Sequence, residues 1–207
     1  MINLFISFYN ELNHVRAAEL EFCIKKNLEN ELINRIFIVL EGEKEKFPVL
    51  FHDKVFIIDK ATRPTYSKFF NLINSSITDM EDINILCNTD IFFDDTLKFT
   101  EKMGPHDCFA LSRWDWNEGN PILHRERFSQ DTWIFKGKIK PVRYGEFYLG
   151  IPGCDNRIAY EIFKAGYRII NPCQTIKTYH YHKSDLHNYD HSHRIDKPYM
   201  PVEICGI

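Results

Sequence analysis

Short, continuous apolar runs alternate along the first half of the chain with longer stretches in which apolar residues recur at helical spacing. Ile2 to Ser7 reads as a strand. Ile36 to Leu40, Val55 to Ile58 and Ile83 to Cys87 read as strands buried on both faces of a sheet. Between them, Val15 to Leu28 sets apolar residues among charges with a helical period. Thr65 to Ser76 and Asp94 to Met103 also predict helices. This strand–helix order predicts an α/β fold, with a mostly parallel central sheet flanked by helices.

The second half is less regular. Cys108 to Ser112 and Thr132 to Phe135 predict strands. Trp114 to Gln130, polar and aromatic, reads as a loop. Pro152-Gly153 interrupts the chain before a helix from about Asn156 to Ala165, closed by Gly166. Arg168 to Ile170 and Thr175 to Tyr181 predict short strands. The tail from Lys183 to Ile207 is polar and weakly patterned.

The length of 207 residues fits one domain. The net charge of −3, without long runs, argues against a nucleic-acid partner, which would leave a basic footprint. The six cysteines form no Cys-x-x-Cys pair, so neither a zinc ribbon nor a redox dithiol is expected. Several lie in apolar runs, where reduced Cys packs as a small hydrophobe, and a reducing, cytoplasmic setting is the expectation. Met1 leads straight into the first strand, with no basic region or cleavage site of a signal peptide. The longest apolar run is far too short for a transmembrane segment. The seventeen Phe and ten Tyr fit an aromatic core, with some rings free to line a groove.

In an open α/β sheet, ligands bind beyond the carboxyl ends of the strands. Asn88-Thr89-Asp90 follows the strand ending at Cys87 and is continued by Ile91-Phe92-Phe93-Asp94. A carboxylate there is displayed at the ligand edge. A triplet of this kind also serves as a turn or helix cap.

The triplet resembles the Asp-x-Asp element of GT-A-type glycosyltransferases, with Asn88 in the first acidic position. Four further segments resemble the same family in the same order. They are Ile6-Ser7-Phe8-Tyr9-Asn10-Glu11, Arg63-Pro64-Thr65-Tyr66-Ser67-Lys68, Pro152-Gly153-Cys154-Asp155-Asn156 with Ala165-Gly166-Tyr167, and Thr178-Tyr179-His180-Tyr181-His182. The resemblance runs from residue 2 to about 184. With Ser129-Gln130-Asp131, it is similar to a branch of small bacterial and large-virus glycosyltransferase-like proteins.

The resemblance implies a GT-A (Rossmann-like) domain over 1–184, with a nucleotide-binding half at 1–95, an acceptor and catalytic half at 96–184, and a tail packed on it at 185–207. It implies transfer of a sugar from a nucleotide-diphosphate donor, UDP-linked by family preference, to a hydroxyl of a glycan or other acceptor. Asp90 would hold Mn2+ or Mg2+ against the diphosphate, where a cation stabilises the departing charge. His180 or His182 would complete the metal shell. Phe8, Tyr9, Asn10, Arg63, Lys68, Asn88 and Thr89 fall on nucleotide-binding segments. Asp155 falls on the catalytic acid residue and would be the general base of an inverting transfer. Asp before a helix is also a common N-cap, and the helix terminus would keep it ionised.

Arg113, Trp114, Asp131 and Trp133 are candidates for sugar or acceptor contacts, and each also fits a structural role. The His-rich stretch from 180 to 193, with Asp185 and Asp190, could instead form a separate zinc site or a polar surface. A metal-dependent phosphohydrolase and a non-catalytic nucleotide-sugar or glycan-binding domain remain as alternatives.

Overall fold

The structure, a computed structural model, describes residues 1–60, 63–117, 119–184 and 193–207. In chain order the main elements are β1 (Ile2–Tyr9), α1 (His14–Glu29), β2 (Ile33–Glu41), β3 (Val55–Lys60), α2 (Tyr66–Ser76) and β4 (Ile83–Cys87). Then follow β5 (Ile91–Phe93), β6 (Asp107–Leu111), β7 (Trp114–Asp115), β8 (Ile122–Leu123), β9 (Thr132–Lys136), α3 (Cys154–Lys164), β10 (Arg168–Ile170) and β11 (Thr178–His180).

Seven strands form the central sheet in the order β10-β6-β9-β4-β1-β2-β3. All run parallel except β9, which lies antiparallel between β4 and β6. Both faces are covered, as parallel sheets require. Leu4, Ile6 and Phe8 point from β1 into a cluster with Leu20 and Ile24 of α1. Phe5, with the opposite pleat, joins Phe69 and Ile73 of α2 and Ile158 and Ile162 of α3. No helix among the described residues is long and apolar enough to cross a membrane. All six cysteines are free, and five are buried.

Two features depart from the expectations. The segment 95–102 is a 3₁₀ helix, opened by the Asp94 side chain on Thr96 N. The stretch read as a loop contributes β7 and β8 to a second sheet, ordered β5-β11-β7-β8. Strand β5 leaves the turn at Asn88–Asp90 and pairs antiparallel with β11, His180 opposite Ile91. The amide of Asn27 on α1 donates to Ile91 O at 2.8 Å and accepts from Phe93 N at 3.2 Å, blunting the exposed edge of β5.

The described tail docks by backbone hydrogen bonds: Ile195 N to Pro152 O, Met200 N to Asn156 O, and Cys205 N to Asn171 O. It crosses close over Gly153, whose φ of +83° excludes most side chains and whose missing Cβ would meet Tyr199 Oη at 2.9 Å.

Candidate active site

A cavity of about 580 Å³ opens at the carboxyl edge of the parallel strands. The second sheet closes one side of it, the 149–153 segment and α3 another. Its polar lining includes Ser7, Tyr9, Arg16, Arg63, Asn88, Thr89, Asp90, Arg113, Asp131, Asp155, His180 and His182.

Asp90 is 8% exposed and lies in the turn from β4 to β5. Its Oδ2 accepts from Arg16 Nη2 in a short ion pair and faces His180 Nε2 at 3.2 Å. Its Oδ1 is buried without a hydrogen-bond partner among the described residues. Such an orphan is costly unless something occupies it. Asp90, His180 and His182 each offer a ligand atom, and these atoms lie within 4.8 Å of one another. One carboxylate and two imidazoles with an open carboxylate oxygen fit a divalent cation, and this donor set leans towards Mn2+ over the oxygen-seeking Mg2+.

Pairing in the small sheet explains why the histidine arrives there. Tyr181 N donates to Asp90 O at 3.0 Å, continuing the β5–β11 ladder. His180 also faces Asp115 of the parallel neighbour β7, Nδ1 to Oδ1 at 3.2 Å. Burial works against a charge on His180, but the carboxylates of Asp90 and Asp115 outweigh it and lift its pKa to about 9. Burial opposes ionisation of Asp90 too, yet His180 and Arg16 hold it well below the ordinary carboxylate range. Asp115, hydrogen-bonded to His180, is lowered to about 2. Burial with Arg16 and His180 nearby keeps His182 more readily neutral, the state a metal ligand needs, whereas His180 must release its proton before it can ligate.

A second carboxylate group faces the first. Asp131, 9% exposed, precedes β9 and accepts from Asn88 Nδ2 at 3.0 Å and Arg113 Nη1 at 3.3 Å. Asp155 was expected as an ionised helix cap. Gly153 is the cap instead, and Asp155 is the second residue of α3, half-buried in the cavity wall. Its pKa is raised, to about 8, because burial and then the Asp131 charge outweigh the Cys154 thiol and Arg113. The helix terminus does not win here.

The remaining candidates divide. Tyr9, Arg63 and Thr89 line the cavity. Thr89 Oγ1 donates to Ser7 O at 2.7 Å, fixing the turn rather than reaching outward. Arg63 donates to Leu149 O and rests over Tyr148. Phe8 reaches the cavity wall, but its ring is 3% exposed and packs edge-on against Phe47 at 5.1 Å, so it offers no face to a base.

Asn10 is exposed and Lys68 pairs with Asp59; neither lines the cavity. Trp133, 1% exposed, lies in the core beside Tyr66, and Trp114 donates its indole N–H to Cys173 O outside the cavity. The expected sugar or acceptor contact of either ring is therefore corrected to a packing role. Of the His-rich tail, Asp185, His187, Asp190 and His191 lie outside the described residues, and His193 is exposed.

Sequence reasoning missed Arg16, Asp115 and the tail's Arg194, which also borders the cavity. Arg16 carried a signal. It occupies the apolar stripe of α1 with Leu20, Cys23 and Asn27, where a charge needs a buried partner.

No protein-family model and no curated protein matches the sequence. Among solved structures, the chain is similar to the mannosyltransferase PcManGT from Pyrobaculum calidifontis, solved in complex with GDP-Man and Mn2+. That likeness has a TM-score of 0.55 at 16% identity and covers 91% of this chain. This chain spans 58% of the length of that enzyme. A 4-diphosphocytidyl-2C-methyl-D-erythritol synthase (TM-score 0.49, 11% identity, 82% of this chain and 87% of that one) is more distant. So is the glycosyltransferase GlyE of Streptococcus pneumoniae TIGR4 (0.47, 13%, 83% and 45%), and neither carries weight. The likeness to the mannosyltransferase carries the fold: the chain has the GT-A architecture that its sequence resemblance implies.

Proposed function

We propose that this chain is a metal-dependent glycosyltransferase that moves a sugar from a nucleotide-diphosphate donor, UDP-linked in the first instance, onto a hydroxyl of a glycan. The carrying observation is the buried carboxylate of Asp90, with an open oxygen and two histidines beside it, in one cavity with Asp155. The GT-A fold is consistent with this reading.

The donor diphosphate lies against Asp90, His180 and His182, and Mn2+ is the favoured ion. When bound, the cation supplies Lewis-acid stabilisation of the diphosphate. Arg63 reaches the nucleotide side of the cavity. Residues 1–95 form the nucleotide half and 96–184 the acceptor half, with the described part of the tail, 193–207, laid over α3; the cavity draws its lining from both halves.

Asp131 accepts hydrogen bonds from sugar hydroxyls. Asp155 takes the proton of the acceptor hydroxyl as its oxygen bonds to the anomeric carbon. The bond to the diphosphate breaks on the opposite face, and its electron pair leaves with the nucleoside diphosphate, giving inversion. A base with a pKa near 8 is poorly ionised at neutral pH but strong once ionised, a compromise suited to proton abstraction. The setting we propose is cytoplasmic.

One observation favours the binding-module alternative. Asn88 is turned to Asp131 and Arg16 already neutralises Asp90, so the cation site carries little net negative charge. One assay separates the readings: the protein with Mn2+ and a panel of nucleotide sugars. Sugar transfer, or slow donor hydrolysis, supports the transferase. Saturable binding without turnover supports the module. Release of inorganic phosphate from simple esters supports a hydrolase, although two-metal hydrolases need more ligands than the single three-residue group found among the described residues.

A further inference from the structure

Glu19 is a buried carboxylate outside the cavity lining, 3% exposed on the inner face of α1. A carboxylate offers about four acceptor positions. In Glu19 all are used. Oε2 accepts from Arg16 Nη1 at 2.9 Å and from Ser184 Oγ at 3.0 Å. Oε1 accepts from the backbone N–H groups of Lys183 and Ser184, each at 2.7 Å. Three of these four donors belong to the two residues that directly follow His182.

That location matters because β11 ends at His180. His182 lies beyond the strand, where no ladder holds the backbone. On its amino side, Tyr181 N is tied to Asp90 O. On its carboxyl side, ties among the described residues run to Glu19. Arg16 fixes the carboxylate from the helix side, and through Nη2 it also pairs with Asp90.

We propose that Glu19 is the positioning residue for the second histidine of the cation site, clamping the 183–184 backbone to α1 so that the His182 ring stays beside Asp90 and His180. The proposal rests on the reading of Asp90, His180 and His182 as cation ligands. Groups that orient a ligand without touching the metal typically account for about 10–100-fold in affinity. Glu19 differs from the usual case in holding the ligand's backbone rather than its ring.

The test is Mn2+ titration of the full chain, followed by electron paramagnetic resonance, for the wild type, Glu19→Gln, Ser184→Pro and the double variant. Ser184→Pro removes both the N–H and the hydroxyl that Glu19 accepts, and leaves α1 and the core untouched. This covers the case in which Glu19→Gln does not fold. Each single variant is expected to weaken Mn2+ by about tenfold or more. The double variant should be no more than about twofold weaker than Glu19→Gln, because both changes cut the same link.

A local readout accompanies it. Mn2+ should broaden the imidazole resonances of both His180 and His182 in the wild type, but only those of His180 in Glu19→Gln. Wild-type affinity in the variants that fold, or unchanged broadening of His182, overturns the proposal. Failure of the wild type itself to bind Mn2+ removes the cation site, and the proposal with it.

Discussion

Asn88 donates its side-chain amide to the Asp131 carboxylate at 3.0 Å, joining the carboxyl end of β4 to the residue that enters β9. The same two residues are tied through the backbone, Asn88 N to Asp131 O at 3.3 Å. Asn88 therefore serves a neighbouring acid as a hydrogen-bond donor.

Asn88→Asp restores the acidic residue of the Asp-x-Asp element and is expected to harm the enzyme. Two carboxylates at hydrogen-bonding distance repel, and one must take up a proton. Transfer should fall by about tenfold or more, equivalent to ~1.4 kcal/mol of transition-state stabilisation. A steady-state comparison with the wild type at saturating Mn2+ checks this; a gain in activity would show that Asn88 faces the cation.

The pH profile should report Asp155. The base must be ionised, so kcat/KM should rise with pH and level off above about 8, the value to which burial and Asp131 lift this carboxyl. Asp131→Asn removes the second of those causes and should move the midpoint to lower pH. Asp155→Asn should abolish transfer while donor binding, followed by calorimetry, persists.

The raised pKa has a stability counterpart. Between the ordinary aspartate value and about 8, the unfolded chain has released a proton that the folded Asp155 retains, so stability falls as pH rises through that window. Asp155→Asn should therefore raise Tm, with a larger gain at pH 8 than at pH 4. Equal gains at both would mean the carboxyl titrates normally.

Asp90→Asn should remove Mn2+ binding and also weaken the fold. Arg16, itself 7% exposed, loses one of its two ionic partners and keeps Glu19. Breaking a buried pair from one side costs about 3–5 kcal/mol. Urea unfolding should show the loss.

The central sheet was largely legible because strands buried on both faces are nearly pure apolar runs, as in Ile83–Cys87. The small sheet was not. Its strands β7 and β8 are two residues each, too short to show a period, and β7 joins β11 across more than sixty residues of chain. Asp115 was invisible for that reason. Asp90, His180 and His182 were singled out by resemblance, and it is β5 and β11 pairing that brings them together. Trp133, a candidate for sugar contacts, is turned into the core by the pleat of β9, which residue type alone does not reveal. Asp155 misled because burial and a like charge exceeded the helix-terminal field.

The reversed strand β9 has one more effect. In a uniformly parallel sheet, every residue at the ligand edge comes after a strand and rides on the loop it begins. Asp131 comes before one, with its N–H on Leu111 O and Thr132 locked between Cys87 and Leu111. Asp131 thus takes its place from its own strand, and the 117–123 part of the preceding segment, beyond Arg113 and Asp115, can change length without moving it. Variation confined to that part would alter acceptor contacts while Arg113 and Asp115 keep the reaction centre in register.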